Sequence, residues 1–232
     1  MLLLIFAQLL QISQSKQILR NNRHSLRSSL GESQGICGPN LNWTYEDTVL
    51  TIFGEGEMTD FTTETMPWKE YSSEITKVVI QNGCTTIGSL AFTGLTKMEQ
   101  IEIAGTVTSI GTGAFKSCSK LTSFPIPENL NSTCDDSFVL MTSLTSFVVP
   151  ETNKFYKAKD GVLFNFAGNE LIQYPIGKTE TEYSIAETVT KIAKNAFKYS
   201  KLQSIQIPNS VTEILSYAFA ECTELTQITL PE

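Results

Sequence analysis

The amino-acid sequence predicts a β-rich solenoid, in which short parallel strands are joined by turns or short helical turns and a β-hairpin cap precedes the coils. Three observations predict this fold. One apolar frame recurs along the chain, each copy ends in a short stretch of alternating apolar residues, and a different pattern containing both tryptophans precedes the first copy. A chain of 232 residues is also long enough to bury a hydrophobic core.

The recurring frame is clearest when residues 108–127 are aligned with residues 212–231. Both segments place Phe five positions after an apolar residue, Cys three positions later, Leu three positions after that, and two alternating apolar residues before a proline. Weaker copies begin at Thr86, Thr133 and Thr190. The last apolar position of each copy falls at Ile103, Ile126, Val149, Ile185, Ile207 and Leu230. A fixed period of this kind predicts coils that stack and share one core.

Each copy has parts with separate structural roles. The alternating apolar residues indicate a short strand with one buried face, and the proline ends it because proline has no N–H for the ladder. The Ala-Phe pair indicates a tight turn or a single helical turn, in which alanine allows close approach and phenylalanine fills the interior. Stacking then places equal positions of successive coils above one another.

Most of the cysteines are predicted to be buried small side chains. Cys118 and Cys222 share a column of the frame with Leu95 and Met141. Cys84 shares a different column with four aliphatic residues, namely Val107, Leu130, Val189 and Val211. Cys134 falls in the column of Gly88 and Gly111, where the environment is less clear, and Cys37 lies outside the repeats. A disulfide from Cys37 to another cysteine stays open.

The interval between Val149 and Ile185 is longer than the others and indicates an insertion at about residues 155–186. Two short strand patterns, at residues 160–165 and 170–175, flank a turn and predict a β-hairpin. The N-terminal cap, residues 31–80, contains another predicted hairpin, formed by residues 41–45 and 48–54. Its tryptophans, Trp43 and Trp68, either form a stacking site for a sugar or another ligand or cover the open end of the solenoid. We favour the second interpretation.

Residues 1–30 form a candidate signal peptide followed by a basic leader. The first ten residues are almost continuously apolar, and small residues at Ser13 and Ser15 suit a cleavage site. This apolar run is too short to span a bilayer, so no transmembrane segment is predicted. An amphipathic organelle presequence is the alternative, because the segment is rich in Arg and Ser and has no acidic residue.

Charge and composition exclude several classes of function. From residue 28 onward 13 lysines stand against 24 acidic residues, a net charge of −11 that disfavours nucleic acid as a partner. The single histidine, His24, and the absence of a CxxC pair predict no metal site and no cofactor. The adjacent acids Glu46-Asp47 and Asp135-Asp136 are more typical of turns than of a pair of catalytic carboxylates. We therefore predict that the protein is not an enzyme.

The frame I-x-x-x-A-F-x-x-C-x-x-L-x-x-I-x-I-P resembles the leucine-rich repeat of BspA-like surface proteins. Their repeats are short, roughly 23 residues, and of the Treponema type. The cap sequence from Cys37 and the hairpin K-D-G-V-L-F-N…L-I-Q-Y-P resemble segments that accompany these repeats. The resemblance covers residues 37–232 and implies a leucine-rich repeat solenoid at residues 81–232. It also implies a cell-surface or secreted protein that adheres to host matrix proteins or to other cells.

The polar residues at outward positions of the repeat strands are the predicted binding face: Gln100, Glu102, Ser123, Ser146, Ser204, Gln206, Gln227 and Thr229. Their polar and nearly uncharged side chains suit partners that are proteins or glycans. The hairpin or the cap could bind instead, and this alternative stays open. The sequence also predicts candidate N-glycosylation at Asn42 and Asn131, and self-association through an open C-terminal end. The alternative function is that of an intracellular scaffold for protein–protein interaction.

Overall fold

Short strands make up almost all of the regular structure. The computed structural model describes residues 33–133 and 136–230, so the predicted leader at residues 1–30 and the position of Cys134 lie outside the described residues. A single 3-10 turn, Lys69–Tyr71, is the helix found in the described part. The strands are β1 (Gln34–Gly38), β2 (Leu41–Glu46), β3 (Val49–Gly54), β4 (Gly56–Glu57), β5 (Lys77–Ile80), β6 (Cys84–Ile87), β7 (Gln100–Ile103), β8 (Ser109–Ile110), β9 (Ser123–Pro125), β10 (Ser132–Thr133), β11 (Ser146–Val148), β12 (Tyr156–Lys159), β13 (Val162–Asn165), β14 (Glu170–Gln173), β15 (Glu182–Ser184), β16 (Lys191–Ile192), β17 (Ser204–Gln206), β18 (Glu213–Ile214) and β19 (Gln227–Thr229).

The predicted cap hairpin is confirmed. Strands β2 and β3 pair in antiparallel fashion from Leu41 opposite Gly54 to Glu46 opposite Val49. The turn lies at Asp47 and Thr48, one residue later than the sequence predicts, and both residues have positive φ, as this class of tight hairpin turn requires. Strand β3 then pairs in parallel with β5, and β5 with β7, so the hairpin begins the solenoid sheet.

The regular coils form two ladders of parallel strands. The predicted one, here called the main ladder, contains the strands that end in the apolar column: β5 and β7, then β9 with β11, then β15, β17 and β19. A second ladder, which the sequence analysis did not predict, joins β4, β6, β8 and β10, and farther along β14, β16 and β18. Its strands are mostly two residues long, too short to show an alternating pattern.

The predicted hairpin insertion is confirmed and is larger than expected. Strands β13 and β14 are antiparallel, as predicted, and an additional strand, β12, pairs with β13. The last strand of the insertion, β14, pairs in parallel with β16, so it takes a place in the second ladder. Tyr174 is the residue that follows β14, and its ring stacks on that of Phe197 with 5.4 Å between centroids. It takes the place that phenylalanine has in a regular coil.

The hydrophobic core is a column of stacked aromatic rings surrounded by aliphatic side chains, and it divides at the insertion. Trp68 stacks on Phe92 and Phe92 on Phe115, at 5.5 and 5.3 Å between centroids. Adjacent residues of β13 belong to different clusters, Leu163 to the N-terminal one and Phe164 to the C-terminal one. Each cluster is therefore buried by its own group of coils.

The Ala-Phe turns depend on two residues per coil with left-handed backbone. The first precedes the alanine or serine of the turn and the second lies two residues after the phenylalanine. The φ values lie between 56° and 73° at Leu90, Gly113, Asp136, Asn195 and Tyr217, and at Gly94, Ser117, Leu140, Tyr199 and Glu221. Residues other than glycine pay about 1–2 kcal/mol for this conformation, less for Asn and Asp. The turn is therefore a tight bend and not a helix.

The predicted burial of the repeat cysteines is confirmed for Cys84 and Cys118, which are fully enclosed. Cys222 is only half-buried, since no coil after its own lies within the described residues. Cys37 is buried and forms no disulfide in the described part of the chain, so a bridge from it is not found there.

Candidate functional site

The predicted binding residues all lie on strands of the main ladder, and their outward side chains are here called the ladder face. Five of them are exposed, namely Gln100, Glu102, Gln206, Gln227 and Thr229, whereas Ser123, Ser146 and Ser204 are half-buried. The side chains between them point inward and are buried, for example Phe124 and Ile205. This alternation is the expected consequence of the two-residue period of a strand.

Register places several of these residues directly opposite one another. Ser146 lies opposite Ser123, and their hydroxyl oxygens are 3.3 Å apart in a hydrogen bond. Farther along, Gln227 lies opposite Ser204 and Thr229 opposite Gln206. The ladder face is therefore a grid of mostly polar side chains at the spacing of neighbouring strands, beside one apolar pair, the exposed Val148 opposite the half-buried Pro125.

The insertion divides the ladder face into two patches. The backbone N–H of Phe147 donates a hydrogen bond to the carbonyl oxygen of Gly161, so the turn between β12 and β13 lies beside β11. The structure consequently does not bring Ser146 next to Ser204. We call the two parts the N-terminal patch (Gln100, Glu102, Ser123 and Ser146) and the C-terminal patch (Ser204, Gln206, Gln227 and Thr229).

A charged residue missing from the sequence prediction contributes to the N-terminal patch. Lys77 lies opposite Gln100, and its ammonium group is 2.6 Å from a carboxylate oxygen of Glu102. The sequence analysis missed Lys77 because it precedes the first recognised repeat, although its strand pattern was visible. A shallow depression of about 530 Å³ opens beside this pair, between Gln81, Asn82 and Ala104.

The C-terminal patch has no such ion pair among the described contacts of its four residues. The Ser184 hydroxyl donates to the side-chain oxygen of Gln206 at 3.2 Å. The last described coil also exposes apolar side chains, at Ile214, Tyr217, Ile228 and Leu230. The predicted self-association would use these residues. Self-association stays a prediction.

The hypothesis of a ligand-stacking site at the tryptophans is wrong, because both are buried. Trp68 is 0% exposed and Trp43 is 4% exposed, and their rings meet edge to face. The Trp68 indole donates a hydrogen bond to the carbonyl oxygen of Ala91 at 2.9 Å. The alternative is confirmed: these rings close the N-terminal end of the aromatic column.

The buried thiols are protonated structural groups. Burial raises the pKa of Cys118 to about 12 and that of Cys84 to about 11, so neither is a thiolate near neutral pH. The Cys118 thiol donates to the carbonyl oxygen of Phe92, and Cys222 makes the equivalent contact with Phe197, each at 3.1 Å. These cysteines link one coil to the preceding one.

The candidate glycosylation residues differ in accessibility. Asn131 is exposed just before β10, whereas Asn42 is half-buried within β2. Glycosylation at either stays a prediction.

Within residues 33–133 and 136–230, no three His, Cys, Asp or Glu side chains are grouped in a way that could hold a metal ion. Over the same ranges the structure has no helix of the length and apolarity that crossing a membrane requires.

Comparison with known protein families finds one matching family, described as "BspA type Leucine rich repeat region". Six copies of this repeat cover residues 70–180 and 177–232. No curated protein matches the chain.

Solved bacterial structures have a similar fold. A leucine-rich cell surface protein from Faecalibacterium prausnitzii has a TM-score of 0.53 and 16% identity, over 84% of this chain and 76% of that one. The pneumococcal vaccine antigen PcpA also has a TM-score of 0.53, with 19% identity over 84% of this chain and 70% of that one. A leucine-rich repeat protein from Eubacterium ventriosum is 21% identical over 85% of this chain and 84% of that one, with a TM-score of 0.46.

Proposed function

Because this chain belongs to the BspA-type leucine-rich repeat family, we propose that it is a non-enzymatic binding protein that holds partner proteins on its ladder face. Repeat solenoids of this kind bind other proteins through surfaces that extend over several repeats. The observation that carries the proposal is the ordered row of outward polar side chains on β7, β9, β11, β17 and β19. Parallel strands hold these groups at fixed distances, so a partner meets a preorganised surface.

The chemistry of the ladder face favours a hydrogen-bonding partner. Apart from the Lys77–Glu102 ion pair, the residues of both patches carry hydroxyl or amide groups, which both donate and accept. The face lacks the Lys and Arg row that phosphate backbones require, which favours a protein over a nucleic acid as the partner.

We further propose that the protein acts outside the cell or at its surface and adheres to host matrix proteins or to other cells. Support comes from the apolar run at residues 1–10, which suits a secretory signal, and from the family resemblance. An intracellular scaffold with the same ladder face is the alternative. Antibody labelling of intact cells, with an assay of the culture medium, separates the two. Labelling that requires permeabilisation would contradict the extracellular proposal and leave protein binding intact.

The binding proposal is tested with purified protein and immobilised fibronectin, laminin and collagen in biolayer interferometry. We expect at least one of these proteins to bind, and the exposed substitution Gln206→Arg to weaken that binding about tenfold, since a bulky charge then lies in the uncharged C-terminal patch. The matched control is Thr223→Arg, which introduces the same side chain at an exposed turn position outside the strands. Equal loss in both variants would contradict a site on the ladder face. Absence of binding to all three matrix proteins would contradict adhesion to the matrix.

A further inference from the structure

A groove of about 400 Å³ lies where the insertion interrupts the second ladder. Strand β10 is the last strand of one part of this ladder, and β14 begins the continuation together with β16. Between these strands the coils are not joined by ladder hydrogen bonds in the described residues, and side chains from both parts line the space. We call this space the seam groove. Its volume is within the range of small-molecule sites.

Polar side chains with internally balanced charges line the seam groove. Asp136 accepts a hydrogen bond from the side-chain amide of Asn195 at 3.0 Å, and the ammonium group of Lys198 lies 3.7 Å away. Glu170, which also lines the groove, pairs with Lys191 at 3.3 Å. Each acidic residue therefore has a basic neighbour, and the groove does not select a strongly charged ligand.

One buried oxygen atom in the lining of the groove lacks a hydrogen-bond donor. Asn195 is 3% exposed and lines the groove, and its side-chain oxygen has no hydrogen-bond partner. Buried carbonyl oxygens are nearly always paired, because leaving one unpaired costs about 1–3 kcal/mol. A hydroxyl donor from a bound molecule would remove this cost.

The rim of the groove offers a flat apolar surface. Phe155, which precedes β12, is 48% exposed, although large apolar side chains are usually buried. Asn131 and Thr133, which line the same groove, carry polar side chains. An aromatic ring in one groove with amide and hydroxyl groups suits a ligand with one apolar C–H face and several hydroxyls.

We propose that the seam groove binds a short neutral saccharide of one or two sugar units. The sugar ring packs its C–H face on Phe155, and its hydroxyls hydrogen-bond to Thr133, Asp136 and the side-chain oxygen of Asn195. The site is separate from the ladder face and uses none of its residues, so each of the two proposals can fail without the other. Inorganic phosphate fits poorly because the lining has two acidic residues, Asp136 and Glu170, and one basic residue, Lys194. A peptide is the competing occupant that the experiment must separate.

The test uses saturation-transfer NMR with the protein produced in a host that does not attach glycans at Asn131. The probes are the methyl glycosides of glucose, galactose, mannose and N-acetylglucosamine, together with inorganic phosphate and triglycine. We expect transfer to at least one methyl glycoside and none to phosphate or triglycine. In Phe155→Ala the affinity for that glycoside falls about tenfold, the loss expected from removing one aromatic contact surface.

The chain supplies a matched control for this variant. Phe166 is also an exposed phenylalanine of the insertion, 52% exposed, but it does not line the groove. Phe166→Ala should retain full affinity, and Thr133→Val, which removes only a hydroxyl, should weaken binding several-fold. The proposal is overturned if no glycoside shows transfer, if triglycine or phosphate binds in their place, or if the Phe155 and Phe166 variants bind equally.

Discussion

At the scale of single residues, side chains one coil apart hold the solenoid together by hydrogen bonds to backbone. The hydroxyl of Thr108 donates to the carbonyl oxygen of Thr85 at 3.1 Å, and that of Thr145 donates to Thr122 at 3.0 Å. The Cys118 thiol makes the equivalent contact with Phe92. Threonine and cysteine are small enough for these positions and carry the single donor that the neighbouring carbonyl needs.

The buried thiols make the free energy of unfolding depend on pH in the alkaline range. Burial raises the pKa of Cys118 to about 12, whereas that of a solvent-exposed cysteine thiol is 9.0. Below pH 9 both states hold the proton, and between pH 9 and 12 only the unfolded state releases it. The free energy of unfolding therefore falls as pH rises through this window, by about 1.4 kcal/mol per pH unit for this thiol.

Urea denaturation at pH 8, 9.5 and 10.5 measures this dependence in the natural chain and in Cys118→Ala. We expect the alanine variant to be less stable at pH 8, because it leaves a cavity, and to lose less stability as pH rises. The two curves should thus converge at high pH. Parallel curves would mean that Cys118 does not titrate differently in the two states.

At the scale of single elements, one indole adds a side-chain contact to the strand pairing that joins the cap to the first coil. Trp68 stacks on Phe92 and donates its N–H to the carbonyl oxygen of Ala91. Trp43 is nearly as buried, yet its indole N–H has no hydrogen-bond partner. The two tryptophans therefore contribute differently to stability, although the sequence presents them alike.

Substituting each tryptophan by phenylalanine tests this difference. Trp68→Phe should cost about 2–3 kcal/mol of unfolding free energy, because it reduces packing and leaves the Ala91 carbonyl unpaired. Trp43→Phe should cost at least about 1 kcal/mol less, since it removes a donor that is already unpaired. Urea denaturation measures both values, with Trp43→Phe as the matched control. A larger loss for Trp43→Phe would contradict the assignment of the cap contact to Trp68.

Elements with a regular apolar pattern could be predicted from the sequence, and elements defined by contacts between coils could not. The Ile-x-x-x-Ala-Phe frame predicted the main ladder and the burial of the repeat cysteines. The strand patterns at residues 160–165 and 170–175 predicted the insertion hairpin. Strand β10 has only two residues, too few to show an alternation of apolar and polar side chains. Tyr174 replaces a frame phenylalanine within a different local sequence, and its position depends on how β14 pairs with β16.

The same limit applies to the candidate sites. The outward positions of the ladder face follow from the strand period, so Gln206 and Thr229 could be identified, but the division into two patches depends on where the insertion lies. The seam groove brings together residues such as Asp136 and Asn195, 59 positions apart. One signal was available in the copy that begins at Thr133. It has Thr133 at the apolar position of the frame and Ser137 at the alanine position, and both residues line this groove.

At the scale of the whole molecule, two core clusters meet at the insertion and should lose structure separately. Leu50 and Ile52 of β3 lie in the N-terminal cluster, and Ile205 of β17 lies in the C-terminal one. In a solenoid each coil is stabilised mainly by its neighbours, so a cavity in one cluster weakens the nearby coils first.

Native-state hydrogen exchange detects this separation. Ile205→Ala should lower the free energy of opening by at least about 2 kcal/mol for amides of β15, β17 and β19, and leave those of β2 and β3 nearly unchanged. Ile52→Ala is the reciprocal variant, with the opposite expected distribution. Uniform acceleration of exchange along the chain in either variant would show that the molecule opens as one cooperative unit.

The interrupted second ladder also has a mechanical consequence. When the two ends of the solenoid are pulled apart, the hydrogen bonds between coils bear the load along the axis. At most junctions ladder hydrogen bonds bear it, whereas between β10 and β14 the load passes to side-chain contacts such as Asp136–Asn195 and to single backbone hydrogen bonds such as Phe147–Gly161. Under tension, the coils should therefore separate at this junction before they separate elsewhere. Its rupture would lengthen the molecule while leaving the coils on each side folded.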